Sequence, residues 1–366
     1  MNVGFVSKGP NGGQGAITRS IRSIFDEAGH NTFLLARPFN PKMPIGEFVN
    51  PRGEWVSKNV TQGSTYNMPP EEYVGWAKRC RLDTLFCDMN LQFEAIEAVR
   101  RSGVRTIGRF VWERFKKSYA EAVKSAYDVV YSLTRCEQLR YKEFGIESFY
   151  LRFGLSPAIS AISMPRRTDG IYFIFHAGLQ GPRKPLRATV EAFKAVREPN
   201  IHLIIKSQAI RENSEQIDIE DDPRIEHIVK NLSYHDYHEL FTSCHVCLAT
   251  SRWEGLGVHL FESLAHGMPV IANDIPPVNE VICHRRSGLL VRSIPSGSLP
   301  NGLTIYDPDP GHLRECIEEL ADPDRLASLF SSTRAEASKD RFRWENTRKD
   351  YLALAAGEAL PSSAMA

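Results

Sequence analysis

From Ser251 to Ala272 the chain reads Ser-Arg-Trp-Glu-Gly-Leu-Gly-Val-His-Leu-Phe-Glu-Ser-Leu-Ala-His-Gly-Met-Pro-Val-Ile-Ala, which sets two carboxylates, Glu254 and Glu262, around a glycine pair. A strand is expected to end near Thr250, a loop to carry Gly255, Leu256 and Gly257, and a helix to start by Val258. The unpaired N–H groups of that helix start, with the positive end of its dipole, can hold a phosphate. A carboxylate beside phosphates needs hydroxyls as partners, because an ionised Glu only accepts hydrogen bonds. Ribose and sugar hydroxyls meet that need. Read by themselves, the two acids could equally be ordinary helix-start residues.

The surrounding pattern supplies the elements that would position them. Tyr172–Ala177, His202–Lys206, Ile225–Ile228, Val246–Ala249 and Pro269–Ala272 read as strands, and Pro185–Val196, Tyr234–Ser243 and Val258–His266 as helices between them. An earlier series runs from strand Asn2–Ser7 through a Gly-rich turn, Gly9–Gly15, and a helix, Ala16–Ala28. It continues through strands Asn31–Ala36, Thr84–Cys87, Thr106–Phe110 and Val129–Leu133, with helices Phe93–Ser102 and Phe115–Ala126. Alternating strand and helix predicts parallel doubly wound sheets. The polar stretch Met164–Gly170 is the expected linker, and Asn346–Ala356 a last helix before a frayed tail from Gly357 to Ala366.

The stretch resembles the signature of the retaining, two-domain glycosyltransferases of the large family numbered four (group 1). That hallmark, two glutamates with seven residues between them and then Gly-x-Pro-Val, is met by Glu254, Glu262, Gly267, Pro269 and Val270. Asn273-Asp-Ile-Pro276 with Glu280, and Ser287-Gly-Leu-Leu-Val291, continue the likeness into the family's next strand, helix and hairpin. Gly178-Leu-Gln-Gly-Pro-Arg-Lys184 resembles the turn in which an Arg and a Lys clasp the donor diphosphate. Lys184 matches; Leu179 stands where the Arg is usual, and Arg183 is the nearest replacement. Gly12-Gly-Gln-Gly15 resembles the loop facing the diphosphate from the first domain.

The resemblance implies a GT-B architecture of two facing Rossmann-like doubly wound domains with a cleft between them. Residues 1–165 would form the acceptor side and 166–345 the donor side, with 346–366 a helix returning to the first domain plus the tail. It implies metal-independent transfer, with retention, from a nucleotide-diphosphate sugar, a UDP- or GDP-sugar, to an acceptor hydroxyl on a glycan, a lipid-linked or a small molecule, with no cofactor. Glu254, Lys184 and Arg183 are the expected catalytic residues. Gly13, Gly15, Gly178, Gly255, Leu256, Gly257, Val258 and Glu262 are the expected donor contacts. Trp112 and Glu113 stand where relatives often carry a functional His, and Asp88 and Asn90 follow a strand end; Trp112, Glu113 and Asp88 are the acceptor-side candidates. A silent sugar-nucleotide binder and an epimerase or phosphorylase on the same architecture are the alternatives.

Other classes lack their residues. A dinucleotide oxidoreductase needs an acid at the end of the second strand, which here reads Ala36-Arg37-Pro38. Cys244-His-Val-Cys247 has no answering pair to hold a metal, and the Asp-x-Asp triplet, Asp307-Pro-Asp309, falls late in the chain. Seven scattered cysteines in 366 residues suit a reducing compartment. No apolar run approaches the roughly 18 to 20 residues that span a bilayer, and no secretory leader is expected, so a cytoplasmic location follows. Net charge is +1, yet residues 1–167 hold 24 Lys and Arg against 16 Asp and Glu, while 168–366 hold 21 against 28. That asymmetry leaves room for an anionic partner of the first part, an anionic membrane at the inner surface included, and nothing calls for nucleic acid.

Overall fold

A computed structural model describes residues 1–8, 12–38, 58–179, 181–210, 214–215, 217–219 and 221–360. The chain divides into two compact units, one of residues 1–153 with 345–366, the other of 154–344.

The first unit holds a seven-stranded parallel sheet in the order β3-β2-β1-β4-β5-β6-β7. Its strands are β1 (Asn2–Ser7), β2 (Asn31–Ala36), β3 (Val60–Gln62), β4 (Thr84–Asp88), β5 (Arg105–Arg109), β6 (Val129–Ser132) and β7 (Phe149–Tyr150). Runs such as Val-Gly-Phe-Val in β1 and Leu-Phe-Cys in β4 are apolar on both faces, as a sheet covered by helices on both sides demands. Helix Gly13–Glu27 starts inside the expected Gly-rich turn, so Gly13 and Gly15 lie in its first helical turn; Gly9 lies outside the described residues. Helix Pro70–Arg79, absent from the reading above, carries Pro in its first turn, acids after it and bases at its end.

The expected helix Phe115–Ala126 is a correction. Phe115 and Lys116 are extended, and the α-helix covers only Ala120–Ala126. Phe115 is fully buried, with its ring 5.1 Å from Phe110, 5.2 Å from Tyr141 and 5.9 Å from Phe144. Aromatic burial there outweighs the helical period. The last helix, Trp344–Ala356, packs Tyr351 on Tyr131 and Phe86 and pairs buried Asp350 with Arg152 through two 2.8 Å bonds.

The second unit is a six-stranded parallel sheet in the order β10-β9-β8-β11-β12-β13. Its strands are β8 (Ile171–Gly178), β9 (Ile201–Ser207), β10 (Ile225–Val229), β11 (Val246–Ala249), β12 (Val270–Asn273) and β13 (Gly288–Val291), and an antiparallel ribbon of β14 (Ser293–Ser298) and β15 (Thr304–Pro308) follows. Gly288 is required by proximity: a Cβ there would sit 2.0 Å from the Val270 carbonyl oxygen. Phe173, Phe175, Phe193, Leu203, Ile205, Leu248, Leu313 and Ile317 fill one face of this sheet. Strand order reverses at β1/β4 in the first unit and at β8/β11 in the second. Open α/β sheets leave a crevice at the carboxyl ends of such neighbours, and that is where ligands bind. No described helix is long and apolar enough to cross a membrane.

Candidate active site

Both motifs of the second unit open at its switch point: Gly178–Lys184 follows β8, and Ser251–Gly257 follows β11. Gly178 and Gly181 take positive φ, and the Lys184 amide donates to the Gly181 carbonyl at 3.0 Å, closing a turn that aims Arg183 and Lys184 toward the β11 loop. Gln180 lies outside the described residues. Arg252 ties the two loops together: its amide donates to the Arg183 carbonyl at 2.9 Å, its Nη1 to the Pro182 carbonyl at 2.8 Å, and its guanidinium pairs with Glu215 and Asp307.

Glu254 is the meeting point. Its Oε1 accepts from the Gly255 amide at 3.0 Å and from Arg183 Nη1 at 3.2 Å. Its Oε2 accepts from Ser251 Oγ at 3.3 Å and lies 3.8 Å from Lys184 Nζ, which itself donates to Ser251 Oγ at 2.8 Å. Burial alone would raise the Glu254 carboxyl, but Arg183, Lys184 and the Gly255 amide outweigh it and hold the group at about 2. Glu254 is therefore ionised, buried and already engaged by both cations.

Gly257, at φ +75, is the residue before helix Val258–Ala265. A Cβ at Gly257 would meet Leu260 Cδ1 at 2.7 Å, so only glycine suits this left-handed entry. No side chain caps the helix and no acid occupies its first turn, which leaves the first amides unclaimed by local carboxylates. Leu256 is buried beneath the loop, and Val258 opens the helix, half-buried.

Glu262, one turn further, faces another neighbour. Its Oε2 accepts from Tyr237 Oη at 2.9 Å, and its Oε1 lies 3.9 Å from His238 Nε2. Burial and the Glu262 charge push the Tyr237 phenol well above its ordinary range, so it stays a donor. The two glutamates thus serve distinct surroundings, one cationic and one aromatic. Tyr237, Ser251, Arg252 and His259 were not singled out by sequence. His259, in the first turn of the helix, has its ring 5.5 Å from that of His176. Burial first, and then Lys184, lower it to about 3 against the pull of Glu254, so the imidazole is neutral.

The residues named in the first unit are placed separately. Asp88, at the end of β4, accepts from Arg109 Nη1 at 3.0 Å, and Arg109 makes two further bonds to Glu137 at 2.9 and 3.0 Å. All three are buried, and burial raises both carboxyls against the pull of Arg109. Asp88 thus belongs to an internal ion triad. Asn90 is buried too, donating to Tyr73 Oη at 3.1 Å. Trp112 and Glu113 form a half-buried 3-10 turn after β5. Gly13 and Gly15 lie after β1, where Gln14 Nε2 donates to the Asp88 carbonyl.

Among the described residues, one group of three side chains has metal-ligand spacing, His235, Asp236 and Glu239. It lies on the helix Tyr234–Thr242, outside the Glu254 cluster.

Residues 170–303 match the family of glycosyl transferases group 1. Alpha-maltose-1-phosphate synthase of Mycolicibacterium smegmatis is 28% identical over 124 residues, which are 34% of this chain and 30% of that protein's length. Sucrose-phosphate synthase from Thermosynechococcus elongatus shares the fold at TM-score 0.69 and 14% identity, with 98% of each chain covered. HepE of Anabaena, solved with UDP and glucose, does so at TM-score 0.67 and 13% identity over 98% of this chain and 100% of its own. The uncapped helix start, the paired cations and the two glutamates all fall inside the residues that match the group 1 glycosyl transferases, and the chain spans less than a third of the length of the curated relatives it resembles.

Proposed function

We propose that the chain transfers a sugar from a nucleotide-diphosphate sugar, a UDP- or GDP-sugar, to an acceptor hydroxyl, with retention at the anomeric carbon and without a metal or cofactor. The observation that carries this reading is the Glu254 cluster: two cations are held by a single buried carboxylate at the foot of an uncapped helix start. A diphosphate offers Arg183 and Lys184 more negative charge than Glu254 does. On donor binding the cations turn to the phosphates, and Glu254, released from them, accepts from hydroxyls of the donor sugar. Glu262, oriented by Tyr237, accepts from the ribose hydroxyls. The anomeric carbon–oxygen bond to the diphosphate then breaks as the acceptor oxygen attacks on the same face, and its proton passes to the departing phosphate oxygen. No side chain becomes a nucleophile; the protein's work is positioning and offsetting the charge of the leaving group.

Gly178, Gly255, Leu256, Gly257 and Val258 shape the diphosphate loop in this reading, and Gly13 and Gly15 remain assigned to the donor by resemblance. Trp112 and Glu113, half-buried after β5, are assigned to the acceptor, with Asp88 fixing the strand ends through Arg109. The basic first part favours an anionic acceptor, glycan or lipid-linked, and peripheral contact with an anionic inner membrane surface.

A thermal-shift panel of nucleosides, nucleoside diphosphates and their sugars tests the donor assignment. At a hundredfold excess over its dissociation constant a ligand adds roughly 2.7 kcal/mol of stability. The expected result is a raised Tm with one nucleoside diphosphate and its sugars, and a smaller rise with the nucleoside at the same concentration. A flat panel would contradict the assignment.

A further inference from the structure

At the far end of helix Val258–Ala265, about 12 Å from Gly257 by helical rise, lies a hollow of about 490 Å³. That is within the size of small-molecule sites, roughly 300 to 1,000 Å³. Its walls come from the second unit alone: Ser156, Ser160 and Ser163 before β8, His266 after the helix, and Arg334 and Ser338 at the end of helix Pro323–Ala337. None of them belongs to the Glu254 cluster.

Two groups beside the hollow are buried without the partner their chemistry calls for, and a third, Arg334, is an exposed cation on its wall. Arg334 lies across Gly267. Arg166 donates its Nη2 to the His266 carbonyl at 3.1 Å and stacks on Phe330, yet its Nε is buried with no hydrogen-bond partner. The Nε2 of His266 is buried without one as well. Burial and the neighbouring Arg334 charge both weigh against the Arg166 cation, so two like charges stand together. Such a pair is stabilised by an anion between or beside its members. The exposed carbonyls that end a helix would repel an anion, and the Arg166 bond to His266 offsets that at this end.

The serines complete the chemistry. Ser160 and Ser338 give their protons to the Pro157 and Ala335 carbonyls, at 3.2 and 2.8 Å, which leaves their oxygens as acceptors. Acceptors of this kind suit ligand hydroxyls.

We propose that this hollow is a second ligand site, for a hydroxylated phosphate monoester of sugar-phosphate size, with Arg334 on the phosphate, the Arg166 charge behind it, and the serine oxygens on the hydroxyls. The site does not depend on the nucleotide assignment. Titration calorimetry on the full chain, with a hexose 6-phosphate, orthophosphate and the neutral hexose as probes, tests it. The hexose phosphate should bind at least tenfold more tightly than either fragment. Arg334→Gln and, on the exposed rim, Ser163→Glu should each weaken it at least tenfold, while Lys184→Ala leaves it unchanged. Binding kept in Arg334→Gln but lost in Lys184→Ala would move the ligand to the nucleotide site and overturn the proposal. So would no binding at all, or orthophosphate binding as tightly as the hexose phosphate.

Discussion

Glu254 and Glu262 stand in one short motif yet are set to fail differently. Lys184, a point charge beside Ser251 and Glu254, should grip phosphate, so Lys184→Ala is expected to weaken a nucleoside diphosphate by about 1.5 to 3 kcal/mol and leave the nucleoside unchanged by calorimetry. Arg183→Ala should cost a similar amount if Arg183 replaces the guanidinium missing at Leu179. Glu262→Ala and Tyr237→Phe should weaken ribonucleotides and spare a 2′,3′-dideoxy analogue. Acid stability reports on Glu254 itself. Its folded pKa lies below the ordinary carboxylate value, so its contribution is full above about 4.5 and is lost as pH falls toward 2. Glu254→Gln should therefore flatten the stability lost across that window by on the order of 3 kcal/mol relative to the parent chain. Asp88 and Glu137, raised by burial, titrate alike in both proteins and drop out of the difference. The glutamates and Lys184 were legible because their spacing is local. Tyr237 and Arg252 were not, because they reach their partners from other elements, and sequence order says nothing about which side chains a fold brings within 3 Å.

The elements that carry these residues were read well where one physical signal dominated. β11 and the β12 run are continuous apolar stretches, and helix Val258–Ala265 begins just past a glycine, so pattern and structure agree to within a residue or two. Reading failed where signals competed. At Phe115 a helical period met an aromatic cluster that holds the chain extended, and the Pro70–Arg79 helix carried clear end signals on a weakly apolar face. The glycine before helix Val258–Ala265 offers a test at this scale. Gly257→Ala must place a Cβ against Leu260 in a left-handed backbone, which should cost about 1 to 3 kcal/mol in denaturant unfolding and weaken diphosphate binding as the helix start shifts. An unchanged unfolding midpoint would show that the helix does not depend on this entry.

For the whole molecule, the doubly wound character of both sheets followed from alternation alone, while strand order did not, since neighbours such as β1 and β4 are set by packing across long stretches of chain. The charge asymmetry of the chain gives a prediction here. Lys116 and Lys117 are exposed in the basic first part, so sedimentation with anionic vesicles should exceed that with neutral ones and fade with added salt. Equal binding to both would remove the membrane from the account. Turnover should also survive chelation, because the Glu254 cluster meets phosphate charge with Arg183, Lys184 and helix amides; activity restored only by magnesium or manganese would point elsewhere, with His235, Asp236 and Glu239 the first group to examine. The most direct test follows the donor's anomeric proton by NMR while the chain is incubated with the sugar nucleotide selected by thermal shift and a panel of glycan and lipid-linked acceptors. The account predicts a new glycoside whose anomeric configuration is that of the donor, with the nucleoside diphosphate released in equal amount. A product of inverted configuration, or an isomerised sugar nucleotide with no transfer, would contradict it.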